Sequence, residues 1–244
     1  MGRVEKMPVW FFSSMSVSKS FLMKDILFKL FLCSFFVLSL SLVSYSQIET
    51  LGHHKLLLSA QEGDAWAQYN LARTYYDGQG VLQNYEKALK WYLKSAEQGN
   101  SWAQRSLGKI YEGGHGVLEN HQEAIQWYLK SAEQKFSMAQ WDLGNMYRMG
   151  KGVVQNYREA CKWYLKSAEQ GFAGAQYDLA QMYFEGKGVL KDNVLAYMWF
   201  SLSVSNSSGS IRKSRGNTRD KVAQVMTQKQ IVEAKNLARS FKSK

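Results

Sequence analysis

The sequence predicts an all-α fold, an α/α solenoid in which helix-turn-helix pairs stack into a superhelix. Two observations predict it. The nonapeptide WYLKSAEQG at Trp91–Gly99 returns at Trp163–Gly171 and, as WYLKSAEQK, at Trp127–Lys135; a degraded version, WFSLSVSNS, begins at Trp199. The interval is 36 residues each time. Each copy is also preceded by a Gly-x-Gly-Val loop, at Gly78–Val81, Gly114–Val117, Gly150–Val153 and Gly186–Val189. A fixed period of this size marks one helical unit repeated, each copy burying its apolar face against its neighbours.

Within a copy, Ala67, Leu71 and Tyr75 fall at i, i+4 and i+8, one face of a first helix. Ala72, Gly108, Gly144 and Ala180 recur at one register, where a small residue lets the paired helix come close. The two glycines of each loop end that helix by taking left-handed backbone angles. A lone Gly-x-Gly also suits phosphate binding, but no strand precedes these four. Asn84, Asn120, Asn156 and Asp192 are N-caps for the second helix. Glu123 and Glu159, three residues on, complete capping-box patterns with Asn120 and Asn156. Ala88, Tyr92 and Ala96 form the packing stripe, and Gly99 or Gly171 closes the helix. Lys135 replaces that glycine in the second copy, which predicts a strained or differently shaped turn.

The chain divides into residues 47–64, a half-repeat aligned with Trp91–Gly99; four repeats at 65–100, 101–136, 137–172 and 173–204; and a basic tail at 205–244. In the tail, Asn206–Asn217 reads as a mobile loop and Thr227 with Gln230 as a capping box opening a final helix, so that a loop and two helices cap the array. The formal charge of +11 is unevenly placed. Residues 205–244 hold ten Lys/Arg against Asp220 and Glu233, whereas residues 47–204 are neutral. A neutral body gives no reason to expect nucleic acid; the basic tail alone could favour an anionic lipid or wall polymer.

At the amino end, Lys24 and Lys29 flank the start of the uncharged run Leu30–Val43. Ser44 and Ser46 stand at −3 and −1 of a cut before Gln47, completing the pattern of a secretory signal peptide over residues 1–46, with Met23 or Met15 as candidate true starts. The chain is then expected in the periplasm or outside the cell. An uncleaved anchor is the alternative, since Leu30–Ser46 is 17 residues, just short of the ~20 that span a bilayer. Leu30-Phe31-Leu32 before Cys33 lacks the small residues of a lipoprotein cleavage site. Only Cys161 is left in the mature chain, aligned with Leu89, Ile125 and Tyr197, so it is expected to pack as a small hydrophobe.

These residues resemble the Sel-1-like repeat family, a branch of the tetratricopeptide-like helical repeats. Ala103, Leu107, Gly108, Tyr111, Gly114, Gly116, Val117, Asn120, Ala124, Trp127, Tyr128 and Ala132 carry the family pattern in order, and it recurs in register over about Ala65–Val204. The resemblance implies a right-handed superhelix that acts as a scaffold in signalling, envelope regulation, polysaccharide export or host-cell contact. Some cysteine-rich secreted members are linked to β-lactam binding or hydrolysis, which makes a cell-wall or β-lactam hydrolase the alternative reading. Those members carry a pair of Cys per repeat, and this chain lacks them.

Candidate chemistry is thin. His53, His54, His115 and His121 stand at no recognised metal-ligand spacing. Ser-x-x-Lys occurs at Ser16–Lys19, Ser106–Lys109 and Ser210–Lys213 without its partner motifs. No catalytic, cofactor or metal residue is therefore expected. What remains is a surface. Positions that differ between copies on an otherwise constant first helix are candidates for recognising a protein or peptide along the concave face. The ladder Tyr69, Arg105, Trp141, Tyr177 is one; Arg73, Lys109, Asn145, Gln181 is another; Trp66, Trp102, Met138, Gly174 is a third, in which the two Trp also suit packing between repeats. Arg105 and Trp141 are expected to face a partner, so that alanine there leaves the fold intact. The protein is expected to be a monomer that touches membrane only through an uncleaved signal segment.

Overall fold

A computed structural model of the chain describes residues 52–242. Leu56–Lys244 forms one compact unit. The expected signal segment and its expected cleavage site lie outside the described residues, as do the candidate start codons.

The described residues are helical, with no strand among them. Helix α1 covers 52–61. Four pairs follow: α2 (Ala65–Asp77) with α3 (Tyr85–Glu97), α4 (Ser101–Gly113) with α5 (His121–Glu133), α6 (Ser137–Met149) with α7 (Tyr157–Glu169), and α8 (Ala173–Glu185) with α9 (Asn193–Ser205). Helices α10 (Gly209–Ala223) and α11 (Gln228–Lys242) complete the chain. From α2 to α10 each helix packs on its neighbours in sequence. No described helix is long and apolar enough to cross a membrane.

The loop glycines set the pair geometry. Gly78, Gly114, Gly150 and Gly186 end the first helices at φ of +67° to +70°. The second glycine of each loop has positive φ too, and from the second copy on it also meets the repeat before it. A Cβ on Gly116 would lie 2.5 Å from Tyr85 Cβ; one on Gly152, 2.8 Å from the His121 carbonyl carbon; and one on Gly188 would press into the Tyr157 carbonyl. Asn84, Asn120 and Asn156 then cap the second helices, their Oδ1 accepting from the amides of Lys87, Glu123 and Glu159. The capping boxes expected at Asn120 and Asn156 form only this half. Their own N–H groups donate back to the carbonyls of Tyr111 and Tyr147, and Glu159 instead pairs with Lys162. Thr227 and Gln230 make both halves of the box.

Between a second helix and the next first helix the turn needs one left-handed residue. Gly63, Gly99 and Gly171 supply it, and Lys135 is forced to φ +63° in the second copy, alone among described non-glycine residues. Left-handed backbone costs an L-residue about 1–2 kcal/mol. Lys135→Gly is therefore expected to raise stability by about 1 kcal/mol, since glycine loses part of the gain through its freer unfolded chain. Urea melts of the two proteins read this directly, and an unchanged midpoint would refute it.

A polar seam runs through the apolar core. Gln68, Gln104, Gln140 and Gln176 are buried. Each donates to a carbonyl of the preceding second-helix position, Ala60, Ala96, Ala132 and Ala168, at 3.0–3.1 Å. Each accepts from Gln98, Gln134, Gln170 or Asn206 of its own pair. The fully buried Ser95, Ser131, Ser167 and Ser203 close each pair by donating to the carbonyls of Ala65, Ser101, Ser137 and Ala173 at 2.6–2.8 Å. These bonds satisfy buried side chains that would otherwise cost about 1–3 kcal/mol apiece. They explain the Ser and Gln of the recurrent nonapeptide.

The small-residue register is a contact. Tyr128 lies over Gly108 and Tyr164 over Gly144, where an added Cβ would overlap each ring. Both tyrosines are fully buried. Cys161 packs as a hydrophobe, its Sγ 3.4 Å from the Lys187 carbonyl, and burial pushes its thiol up to about 11.

The tail differs from expectation at Asn206–Asn217, most of which is helix α10 and not loop. Two of its arginines hold the end of α9. Arg212 donates to the carbonyls of Val204 and Ser205, and Arg215 to Ser207 Oγ. Gly209 starts α10 one period after Ala173, but α10 and α11 do not pair as the repeats do. Both pack on α9, with Phe241 edge-on to Trp199 at 5.0 Å.

Candidate functional site

Helical spacing puts Arg105, Lys109 and Glu112 of α4 on one face, and Trp141, Asn145 and Arg148 of α6 on the equivalent face. With Tyr76, His115 and Lys151 at the rim, all of these but Arg105 line a cleft of about 670 Å³. It is open and polar.

Charge in the cleft is organised by contacts between copies. Arg105 Nε meets Asp142 Oδ2 at 2.5 Å, both largely buried. One copy further, Trp141 Nε1 donates to Asp178 at the same distance. Burial raises both aspartates, most strongly opposed by Arg105 at Asp142 and by the indole bond at Asp178. Glu112 accepts from Lys151 Nζ at 2.9 Å and from Tyr128 Oη at 2.8 Å. Burial alone would raise its carboxyl, but those two hydrogen bonds outweigh it and hold the group below the usual range. Arg148 donates from Nε to Tyr164 Oη at 2.9 Å and from Nη2 to Asn145 Oδ1 at 3.4 Å. Tyr164 Oη also donates to Asn145 Oδ1 at 2.8 Å.

Of the eight residues in the first two ladders singled out from sequence, Lys109, Trp141 and Asn145 line this cleft. Arg105 lies beside it but is spent on Asp142. Trp141 presents its ring while its N–H is spent on Asp178. The expectation that alanine at Arg105 and Trp141 leaves the fold undisturbed is thus corrected, because both tie one copy to the next. Tyr69 stacks among Trp66, Tyr92 and Trp102, and the exposed Arg73 pairs with Asp77. Tyr177 lies under α10, with Arg215 over its ring at 5.5 Å and Thr218 at 3.4 Å from its hydroxyl, and Gln181 donates to that hydroxyl. In the third ladder, Trp102 packs on Phe136 at 4.7 Å while Trp66 stays half exposed.

Among the described residues no cluster of three His, Cys, Asp or Glu could hold a metal. His115 packs between Tyr76 and Tyr85, and His121 lies near Glu119. Ser106 lies near the Tyr92 hydroxyl.

The Sel1 repeat model matches the chain four times, over residues 67–100, 103–136, 137–172 and 173–208. The chain belongs to the Sel1 repeat family. Among solved structures, it is similar to a Sel1 repeat protein from Oxalobacter formigenes, at 29% identity over 79% of both chains with a TM-score of 0.67. It is also similar to c5321, a protective antigen of uropathogenic Escherichia coli displaying an SLR fold, at 30% identity over 80% of this chain and 51% of that one, with a TM-score of 0.46. Helicobacter pylori cysteine-rich protein B matches at 24% identity over 53% of this chain and 92% of that one, with a TM-score of 0.43. No curated protein matches.

Sequence reasoning missed Glu112, Arg148 and Lys151 as cleft residues. Their signal was present. Tyr76, Glu112, Arg148 and Phe184 form a fourth ladder that varies between Sel1 copies, one turn beyond Lys109 and Asn145. The loop slot Gln79, His115, Lys151, Lys187 varies likewise.

Proposed function

We propose that this chain is an exported, non-enzymatic adaptor that captures a protein or peptide on the face formed by its first helices. The family supports the coarser part, since Sel1 repeat proteins typically serve as scaffolds for protein–protein interaction. The observation that carries the rest is the α4–α6 cleft. A fixed seam of Gln and Ser holds every copy alike, while Lys109, Glu112, Trp141, Asn145, Arg148 and Lys151, at positions that differ between copies, line one open groove. That separation of constant packing from variable surface is what a recognition scaffold needs.

The non-enzymatic reading rests on the state of the groups present. A nucleophile needs a base beside it. Cys161 is buried with its thiol pushed up to about 11, Glu112 is held in its ionised form by Lys151 and Tyr128, and the Ser106–Lys109 pattern stands without its partner motifs. Export rests on the tripartite pattern ending at Ser46.

Cross-linking with mass spectrometry on cells making the tagged full-length protein tests the proposal, with the mature amino terminus sequenced from the same sample. A chain starting at Gln47, cross-linked through Lys109 or Lys151 to an envelope protein, is the expected result. An intact apolar segment with only cytoplasmic partners removes the export claim. Cross-links confined to the second helices remove the groove.

A further inference from the structure

We propose that the row of loops joining first to second helices is a membrane-docking edge, from which Leu82, Leu118, Val154 and Leu190 enter the interface of a phospholipid bilayer. This adds a membrane contact to any made by a retained signal segment. None of the four residues lines the α4–α6 cleft, so edge and cleft can act independently.

In these loops successive residues face opposite ways. Val117, Val153 and Val189 pack against the core, whereas the residue after each valine, Leu118, Val154 and Leu190, together with Leu82 of the first loop, is 89–92% exposed. A side chain that exposed gains nothing from the fold by being aliphatic. Yet every copy has an aliphatic there, while the next position, also exposed, varies freely as Gln83, Glu119, Gln155 and Lys191. One exposed Leu needs no explanation, but one exposed register kept apolar four times marks a contact.

The four stand along a single edge. The second glycine of each later loop abuts the start of the second helix before it, Gly116 at Tyr85, Gly152 at His121 and Gly188 at Tyr157. Val225, 62% exposed, continues the row. Helix α10 runs antiparallel to α9, from Arg212 at the Val204 carbonyl to Arg219 over the Tyr197 ring, and so ends on the side of the fourth loop.

Two features name lipid as the occupant. The tips are one repeat apart with polar residues between them, so they offer no continuous apolar face for a second copy or another protein to close over. Lipid needs no such match, because each aliphatic enters the fluid interface separately and the hold grows with the apolar area buried. The chain also enters the array at this edge. Helix α1 is antiparallel to α2 across the Gly63 turn, and Leu56 and Leu57 share a cluster with Tyr75 at the loop end of α2. Residues 44–55 are all that separate Leu56 from the apolar run ending at Val43. While that run is attached and in a bilayer, the loop edge leads; once it is cut away, the row keeps the hold.

Site-specific photo-crosslinking tests this. Protein purified as cells process it, with a photo-crosslinking residue at one position at a time, is mixed with vesicles of phosphatidylethanolamine and phosphatidylglycerol tagged on an acyl chain. Tagged lipid joined to protein is the readout, and it serves whether or not the apolar run is retained. The crosslinker at Leu118 is expected to take up at least about fivefold more lipid than at Glu133 or Glu169, exposed at the far ends of α5 and α7. With the crosslinker kept at Leu118, Leu82→Ser, Val154→Ser and Leu190→Ser together should lower uptake by about tenfold or more and leave the melting temperature unchanged. Equal uptake at Leu118 and Glu133, or uptake undiminished by the three serines, overturns the proposal. A cross-linked dimer in place of lipid adducts also overturns it and gives the row to a second copy.

Discussion

Gly108→Leu is expected to lower the stability of the array by about 3 kcal/mol or more, and Gly216→Leu not to lower it at all. The two glycines occupy the same register three periods apart, yet their surroundings are opposite. A Cβ on Gly108 would lie 2.5 Å from two atoms of the Tyr128 ring. That ring is fully buried and cannot withdraw, because its hydroxyl is tied to Glu112. A Cβ on Gly216 meets nothing within 4 Å, since no tyrosine packs over α10 as Tyr128 packs over α4. There the side chain only relieves the backbone cost of a helical glycine, about 0.5–1 kcal/mol. Thermal melts should show a fall of about 6 °C or more for Gly108→Leu against no fall for Gly216→Leu. Equal melting temperatures would mean that Tyr128 can repack, and that the close approach of α4 and α5 is not what the glycine serves.

The loop glycines give the second large effect. Gly188→Ala is expected to cost about 3 kcal/mol, and Gly80→Ala about 1 kcal/mol. Both have φ near +70°, so both lose the same conformational freedom. They differ in what faces them. At Gly188 the new methyl would be driven into the Tyr157 carbonyl and the Arg158 amide nitrogen, backbone atoms that cannot rotate away. At Gly80 there is nothing within 4 Å. Denaturant melts of the two variants against the parent chain separate the cost of the turn from the cost of the contact between copies. If both variants lose the same amount, the turn alone accounts for the glycine.

Much of this was legible in the chain itself. The period, the first glycine of each loop, the N-cap asparagines and the small-residue register are local features, and each acts within its own copy or against the helix paired with it. The seam was not read although its residues recur in every copy, because Ser95 and Gln68 look like surface polar residues until the helices that bury them are placed. The α10 segment was misread for a related reason. Ser, Gly and Asn have weak helix propensity, and it is the attachment of Arg212 and Arg215 to the end of α9 that holds the helix there. At the cleft, Lys109, Trp141 and Asn145 could be chosen by variation between copies. Variation cannot tell a free side chain from one spent on the next copy. Arg105 varies as a recognition residue would, and it is an inter-repeat ion pair.

The Gln seam has a consequence for how such a chain changes length. Gln104 donating to Ala96, Gln140 to Ala132 and Gln176 to Ala168 are the same bond with the same partners, so each junction accepts the far side of any other. An in-frame duplication or deletion of one whole period rejoins matching surfaces, whereas any other length change strands a buried amide and its carbonyl. Recombination between copies can therefore lengthen or shorten the groove in steps while leaving the Gln bond at every junction intact. The two ends set the limits of that freedom, because α1 at the start and the α10–α11 cap on α9 occur only once.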